Sequence, residues 1–306
     1  MADSSRVSVR AALETVFGTP PAGGATWKEI PITGINPRTN QETTQSQIIV
    51  SDAQIRDIIR TARTGAPDLS FELGYGWFDD ILAAALRSDW DNDVLENGTT
   101  LRSLSLEVAF LDINQFILFS GLRVGTLGLS VQAGQIVTGT VSFMGKGGAI
   151  SGSSSAGAFT TAADVTPLNA VDNISLLEEG GNTVLGDALA VELNLNNNPR
   201  ARPALGTIDP TGIGLGQFQV EGTLTAYFED DSLYSKFLGF TPSNLDLEFT
   251  DANGNELLIE VLALKYAGGD PDVGGNNEDV DIAHAFMAYR DASEGKTLRI
   301  TRTDAA

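Results

Sequence analysis

Apolar and polar residues alternate strictly in several stretches of this chain, the period of a strand with one buried face. Leu69, Phe71, Leu73 and Tyr75 alternate with Ser70, Glu72 and Gly74, and Leu104, Leu106, Val108 and Phe110 with Ser105, Glu107 and Ala109. Leu127, Leu129 and Val131 run into the turn Gln132-Ala133-Gly134-Gln135, and Val137, Gly139, Val141 and Phe143 resume the pattern, which predicts a hairpin. A second hairpin is predicted where Leu245, Leu247 and Phe249 precede Asp251-Ala252-Asn253-Gly254-Asn255 and Leu257, Ile259, Val261 and Ala263 follow, because Asn-Gly favours the tight turn. Helical spacing is rarer. Phe78 to Leu86 opens on Asp79-Asp80 and repeats apolar residues at helical intervals; Asp231 to Gly239 has an acidic start and a glycine end. The fold class is therefore mainly β, with a short helix in each half.

The two halves repeat one order of features. Asn36-Pro37-Arg38 corresponds to Asn198-Pro199-Arg200. A long polar segment follows each, 39–64 and 201–216. Next comes a strand with a central acid, Glu72 in one half and Glu221 in the other. Trp77-Phe78-Asp79-Asp80 then matches Tyr227-Phe228-Glu229-Asp230 ahead of each helix. A hairpin and a final strand pair close each half, ending near Phe143 and Tyr289, and these five matches in order imply two copies of one β-domain, 1–148 and 162–306. The Gly/Ser/Ala-rich stretch 149–161 between them reads as a flexible linker. Ser51 to Thr64 also fits helical spacing, but its place in the repeat makes it part of a long hairpin or loop. There Arg56, Arg60 and Arg63 interleave with Ile55, Ile58 and Ile59. That pattern suits either a solvated helix face or, as we favour, an arm docking on an acidic neighbour, where opposite charge sets partner and register.

Charge and composition then remove whole classes. The 40 acidic residues outnumber the 19 basic ones, a formal net charge of −21, so phosphate is repelled and tight nucleic-acid binding is not expected. Cysteine is absent, which excludes thiolate chemistry and disulfides, and the one histidine, His284, cannot build a multi-histidine metal centre. It reads as a strand residue between Ile282 and Phe286. No apolar run approaches the roughly 20 residues of a membrane helix, and the first residues lack a basic-then-apolar leader, so synthesis in the cytoplasm is expected. Gly212 to Gly216 lacks the dinucleotide spacing. The loop from Asp270 through Asp272 and Gly275 to Asp281 has acids at places one, three and twelve of a calcium loop. It lacks the ligand at place five and the closing glutamate, so an acidic loop between strands is expected. No catalytic residue, metal or cofactor is predicted.

Taken together, the motifs resemble the two-domain tail tube (major tail) proteins of long-tailed, non-contractile, siphovirus-type bacteriophages. Arg6-Val7-Ser8-Val9-Arg10 with Glu14 to Pro20 is similar to the family's opening strand and loop. Phe71 to Leu86 resembles its strand-to-helix motif, Val137 to Lys146 its domain-closing strand, and Tyr227 to Leu238 the second copy of the strand-to-helix motif. The resemblance implies β-sandwich or barrel-like domains with one flanking helix each, forming rings that stack into a hollow tube for the genome. A duplicated chain would form homotrimeric, pseudo-hexameric rings, with true hexamers the alternative. It further implies Glu72 and Glu221 on the lumen, and the arms with Arg38, Ile55, Arg56, Ile59, Arg60, Arg63, Arg200 and Arg202 as contacts between subunits or rings. The implied partners are further copies, a tape measure protein, and terminator and tip proteins; DNA passes without tight binding and no membrane is involved. The implied location is the virion tail. A carbohydrate-binding or adhesive β-sandwich is the rival reading, and it needs clustered exposed aromatics that only three tryptophans (Trp27, Trp77, Trp90) would have to supply.

Overall fold

Each alternating stretch forms a strand, the first only as far as Glu72, because burying one face of a pleated ribbon satisfies its apolar set while the ladder satisfies its backbone. The structure, a computed structural model, describes residues 2–22, 27–49, 51–163, 166–271 and 273–305. Among the described residues the strands pair antiparallel, apart from a parallel bridge of Lys28 to Thr160, and the two α-helices are α1 (Asp79–Leu86) and α2 (Ser232–Gly239). Both predicted hairpins are present, Gln115–Gln132 with Thr138–Met144 and Ser243–Thr250 with Glu256–Tyr266.

Strand order is the same in both halves. In the first, one layer runs Gly34–Asn36, Asp68–Glu72, Thr138–Met144 and the second part of Gln115–Gln132. In the second it runs Ala188–Asn196, Gln219–Tyr227, Asp281–Ala288 and the end of Glu256–Tyr266. A second layer covers each. It consists of Lys28–Ile30, Val7–Leu13, Leu104–Phe110, the start of Gln115–Gln132 and Ala149–Ser151. Its counterpart is Asn182–Thr183, Ile174–Glu179, Ser243–Thr250, the start of Glu256–Tyr266 and Leu298–Thr303. The long strands serve both layers. Leu69, Phe71, Val141, Leu106 and Val108 of the first half join Leu224, Phe286, Leu247 and Ile259 of the second in one continuous apolar core.

The stretch 149–161 is not the free linker expected. Ala149–Ser151 pairs with Phe116 to Leu118, and the following residues are strapped over the face of Leu104–Phe110 that its alternation marks as solvent-facing. Glu107 is consequently buried; Ser105 and Ala109 on the same face are buried as well, Ser105 donating to Glu14 Oε1 at 2.6 Å. The strap's small side chains allow this close approach, and the Glu107 carboxylate anchors it by accepting from Ser154 Oγ and from the Ser155 and Ala156 amides. Ala156 packs with Trp27 and Ala12 beneath.

The end of α2 also differs from expectation. Gly239 is its last helical residue and Phe240 takes the left-handed conformation, φ +49°; at the end of α1, Arg87 does the same at φ +57°. Side chains with a Cβ are strained there, so both helix ends hold a non-glycine residue at a conformational cost.

Candidate functional site

The halves meet edge to edge. The last strand of the first layer, Gln115–Gln132, pairs with the first strand of its counterpart, Ala188–Asn196, from Gln132↔Ala190 to Thr126↔Asn196. Eight strands thus form one sheet. A buried polar cluster fastens this joint. Arg87, at the end of α1, donates from Nε to Asn197 Oδ1 at 2.6 Å, from Nη2 to the Asn197 carbonyl at 3.1 Å and from Nη1 to the Gly216 carbonyl at 2.9 Å. Asn197 Nδ2 donates back to the carbonyls of Ala85 and Val124. A second seam comes from the segment 87–103, where Val94–Glu96 pairs with Leu298–Thr303. Asn97 Oδ1 accepts from the Thr297 and Leu298 amides, and Glu96 accepts from Arg299 Nε at 2.9 Å. The second half has no such segment, since only Phe240, Thr241 and Pro242 separate α2 from the strand Ser243–Thr250.

Among the described residues, the two ends of the eight-stranded sheet are open: Gly34–Asn36 has a strand on one side only, and so do Lys265 and Tyr266 at the end of Glu256–Tyr266, whereas Leu264 before them pairs with both Ala288 and Ser243. An open edge offers unpaired backbone donors and acceptors to another chain. The sheet face away from the core is polar and built from small side chains, including Thr126, Ser130, Thr138, Thr140, Asn194 and Thr223. Both sequence-predicted acids lie on this face, Glu72 opposite Thr138 and Glu221 opposite Asn194. So does Glu192, opposite Ser130 and Thr223, which the repeat comparison missed because it sits on a strand with no acid in its counterpart.

Both long polar segments are hairpins, as the repeat implies for the first of them. Thr39–Gln45 pairs with Ile58–Gly65, and Arg200–Arg202 with Gly212–Gly214. Ile48, Ile49, Ile55, Ile58 and Ile59 are exposed on the first arm and Leu205 on the second. The predicted arm residues do not act as one cluster. Arg63 is committed within the chain, donating from Nε to Asp209 Oδ1 at 2.8 Å while its amide donates to the Ile208 carbonyl, so the two arms brace each other. This pairing holds the Asp209 carboxyl below its ordinary range and pushes the Arg63 guanidinium up. Arg38 pairs with Asp68 at 3.2 Å and Arg56 with Asp52 at 3.6 Å, both in solvent. Among the described residues Arg60, Arg200 and Arg202 have no acidic partner within ion-pair distance. The family model described as phage tail tube protein matches residues 4–288.

The chain belongs to the phage tail tube protein family. It is a structural protein of the phage tail. No curated protein sequence matches it. Among solved structures, the cryo-EM structure of the anti-feeding prophage cap, a tube-terminating cap, is similar at 13% identity, over 49% of this chain and 91% of that one, with a TM-score of 0.32.

No group of three or more His, Asp or Glu side chains among the described residues of this tail tube chain could hold a metal ion. In the acidic loop screened for calcium, Asp272 lies outside the described residues, and Glu278 turns back to accept from the Gly275 amide. His284 is the strand residue expected, 1% exposed, with no hydrogen-bond partner for Nδ1 among the described residues, beneath Gly269. Burial depresses its pKa, and the negative Glu179 only partly opposes this. The folded state therefore binds fewer protons than the unfolded state once pH drops below the unfolded histidine value of about 6.5. Stability is full above that value and falls as pH descends toward the folded pKa. Since His284 is the only histidine, urea midpoints should decline between about pH 7 and pH 5.5 in the parent and stay flat in His284→Gln. An equal decline in the variant would refute the assignment.

Proposed function

We propose that this chain polymerises into stacked rings forming the hollow tail tube through which genomic DNA passes. Each ring contains three copies, and each chain, two copies of one domain, occupies two of six equivalent places. The carrying observation is the internal joint. The last strand of one four-stranded layer pairs with the first strand of the next within the chain, and strands in those same two roles stand unpaired at the sheet's ends. Repeating the joint between copies removes both open ends of the eight-stranded sheet by cyclic closure. The polar face then lines the bore. Glu72, Glu192 and Glu221 place negative charge there among small neutral side chains, an arrangement that repels phosphate and offers passing DNA nothing to grip. Stacking is head to tail, with the exposed apolar arms as the contacts between rings. A tape measure protein fills the bore before DNA, and terminator and tip proteins close the ends.

Negative-stain microscopy of concentrated protein should show rings or tubes with an axial channel and three-fold mass. A protein that stays monomeric at every concentration overturns the reading. The combined variant Glu72→Lys, Glu192→Lys and Glu221→Lys should still assemble, because none of these groups packs in the core. Phage carrying it should deliver DNA at least about tenfold less efficiently, as each basic bore residue now binds phosphate. Unchanged delivery would show that the acidic face does not line the DNA path.

A further inference from the structure

The two helices hold equivalent places in the repeated strand order, yet their ends have different surroundings. Each contacts the long strand that closes its own layer, Gln115–Gln132 for α1 and Glu256–Tyr266 for α2, and each ends in a left-handed non-glycine residue. Arg87 is 8% exposed because it reaches across the internal joint to Asn197 and Gly216. Phe240 is 59% exposed, and Leu238 beside it 66%. The Lys265 ammonium lies 4.3 Å from the Phe240 ring centroid, which fixes the ring at the unpaired end of Glu256–Tyr266. Apart from this contact the strained phenylalanine leaves most of its ring in solvent, beside an open sheet edge.

The opposite edge carries a matching recess. Ahead of the matched Asn36-Pro37-Arg38 and Asn198-Pro199-Arg200, Ile35 stands where Asn197, the residue that Arg87 reaches, stands in the second half. Asn197 is buried at the internal joint, whereas Ile35 stays half-exposed in an open groove of about 450 Å³ lined with Val7, Ile32, Pro37 and Phe110. The groove borders the unpaired strand Gly34–Asn36, on which the next copy's strand would align.

We infer that the joint between copies is closed by Phe240 of one copy seated in the Ile32–Ile35–Phe110 groove of the next. This rests on the ring reading above and names the contact that completes it. Where the internal joint uses a buried Arg87–Asn197 cluster and the seam at 94–96, the joint between copies uses an apolar plug and one strand pairing. The difference has a physical rationale. The internal joint forms once, during folding, and tolerates buried polar groups that must all be satisfied. The joint between copies must exist as two soluble halves first, and a single aromatic anchor in a preformed pocket gives binding energy without leaving buried charge unpaired beforehand.

The parent chain has no cysteine, so site-specific cross-linking has no background. The double variant Phe240→Cys and Ile35→Cys, treated with a short bismaleimide after assembly, should give covalent dimers and closed trimers on denaturing gels, and neither single variant should. Phe240→Asp should not lower the monomer's thermal unfolding midpoint, since the side chain is exposed and aspartate tolerates the left-handed conformation better than phenylalanine, while raising the protein concentration needed for assembly by about thirtyfold or more. Rings or tubes that form without cross-links, or an unaffected Phe240→Asp, overturn this contact while leaving the ring reading intact. Absence of rings in the parent overturns the ring reading itself.

Discussion

Replacing Glu107 with alanine is expected to destabilise the protein by about 3–5 kcal/mol, more than any exposed substitution described above. The carboxylate is fully buried and has no spare capacity. Oε1 accepts from Arg10 Nη1 at 3.0 Å and Ser154 Oγ at 2.7 Å, and Oε2 accepts from the Ser155 and Ala156 amides. Truncation leaves Arg10, itself 6% exposed, as a cation without a counter-charge, with the Ser154 hydroxyl accepting from Nη1 at 3.1 Å and the Phe159 ring 3.9 Å away as neutral partners. It also orphans two backbone donors of the strap. Removing one member of a buried pair costs more than removing both, because the survivor keeps its desolvation penalty. The double variant Arg10→Met with Glu107→Leu should therefore be more stable than Glu107→Ala, with a loss of about 1–2 kcal/mol that reflects the remaining strap amides. Denaturant unfolding measures the ordering, and hydrogen exchange at Ser155 and Ala156 reports strap release. A double variant less stable than the single, or strap amides still protected in Glu107→Ala, would contradict the anchoring role.

Glu107 also shows where sequence reasoning stopped. Alternation in 104–110 identifies the strand and one buried face correctly, but it cannot show what covers the other. The covering segment is rich in Gly, Ser and Ala, so it has no periodicity to detect, and its docking depends on one carboxylate far away in sequence. The small residues Ser105 and Ala109 opposite it are the available signal, since a solvent-facing strand surface has no need to be small. The polar sheet face was legible because the period of a strand places Glu72 and Glu221 opposite the core set. The first arm was legible as a hairpin only through the repeat, since its own spacing of Ile55, Ile58 and Ile59 fits a helix. The Arg63–Asp209 brace was not legible, because nothing local links two arms 146 residues apart. Glycine at the end of α2 misled for a related reason: local propensity favours glycine in the left-handed position, while here a bulky side chain is held there at the sheet edge.

Asn197→Ala should be nearly as damaging as the loss of Glu107, about 3–4 kcal/mol, although it removes no charge. Asn197 is fully buried and fully used. Its amide nitrogen donates to the carbonyls of Ala85 at 2.9 Å and Val124 at 3.1 Å, one at the end of α1 and one on the long strand. Its side-chain oxygen accepts from Arg87. Alanine strands both carbonyls and the Arg87 Nε in an interior where burial already depresses the guanidinium's pKa, and each orphaned group costs roughly 1–3 kcal/mol. Aspartate is no substitute. It pairs with Arg87 but has no donor for either carbonyl and sets a negative oxygen against them, so Asn197→Asp should also lose stability at neutral pH. Unfolding should remain a single transition with an unchanged denaturant slope in both variants, because the strand pairing at 126–132 and the seam of Val94–Glu96 with Leu298–Thr303 still join the halves. Separate transitions for the two halves would mean that this one side chain, rather than the shared sheet, couples them. A loss below about 1 kcal/mol would mean that water reaches the freed carbonyls and that the joint is looser than its geometry indicates.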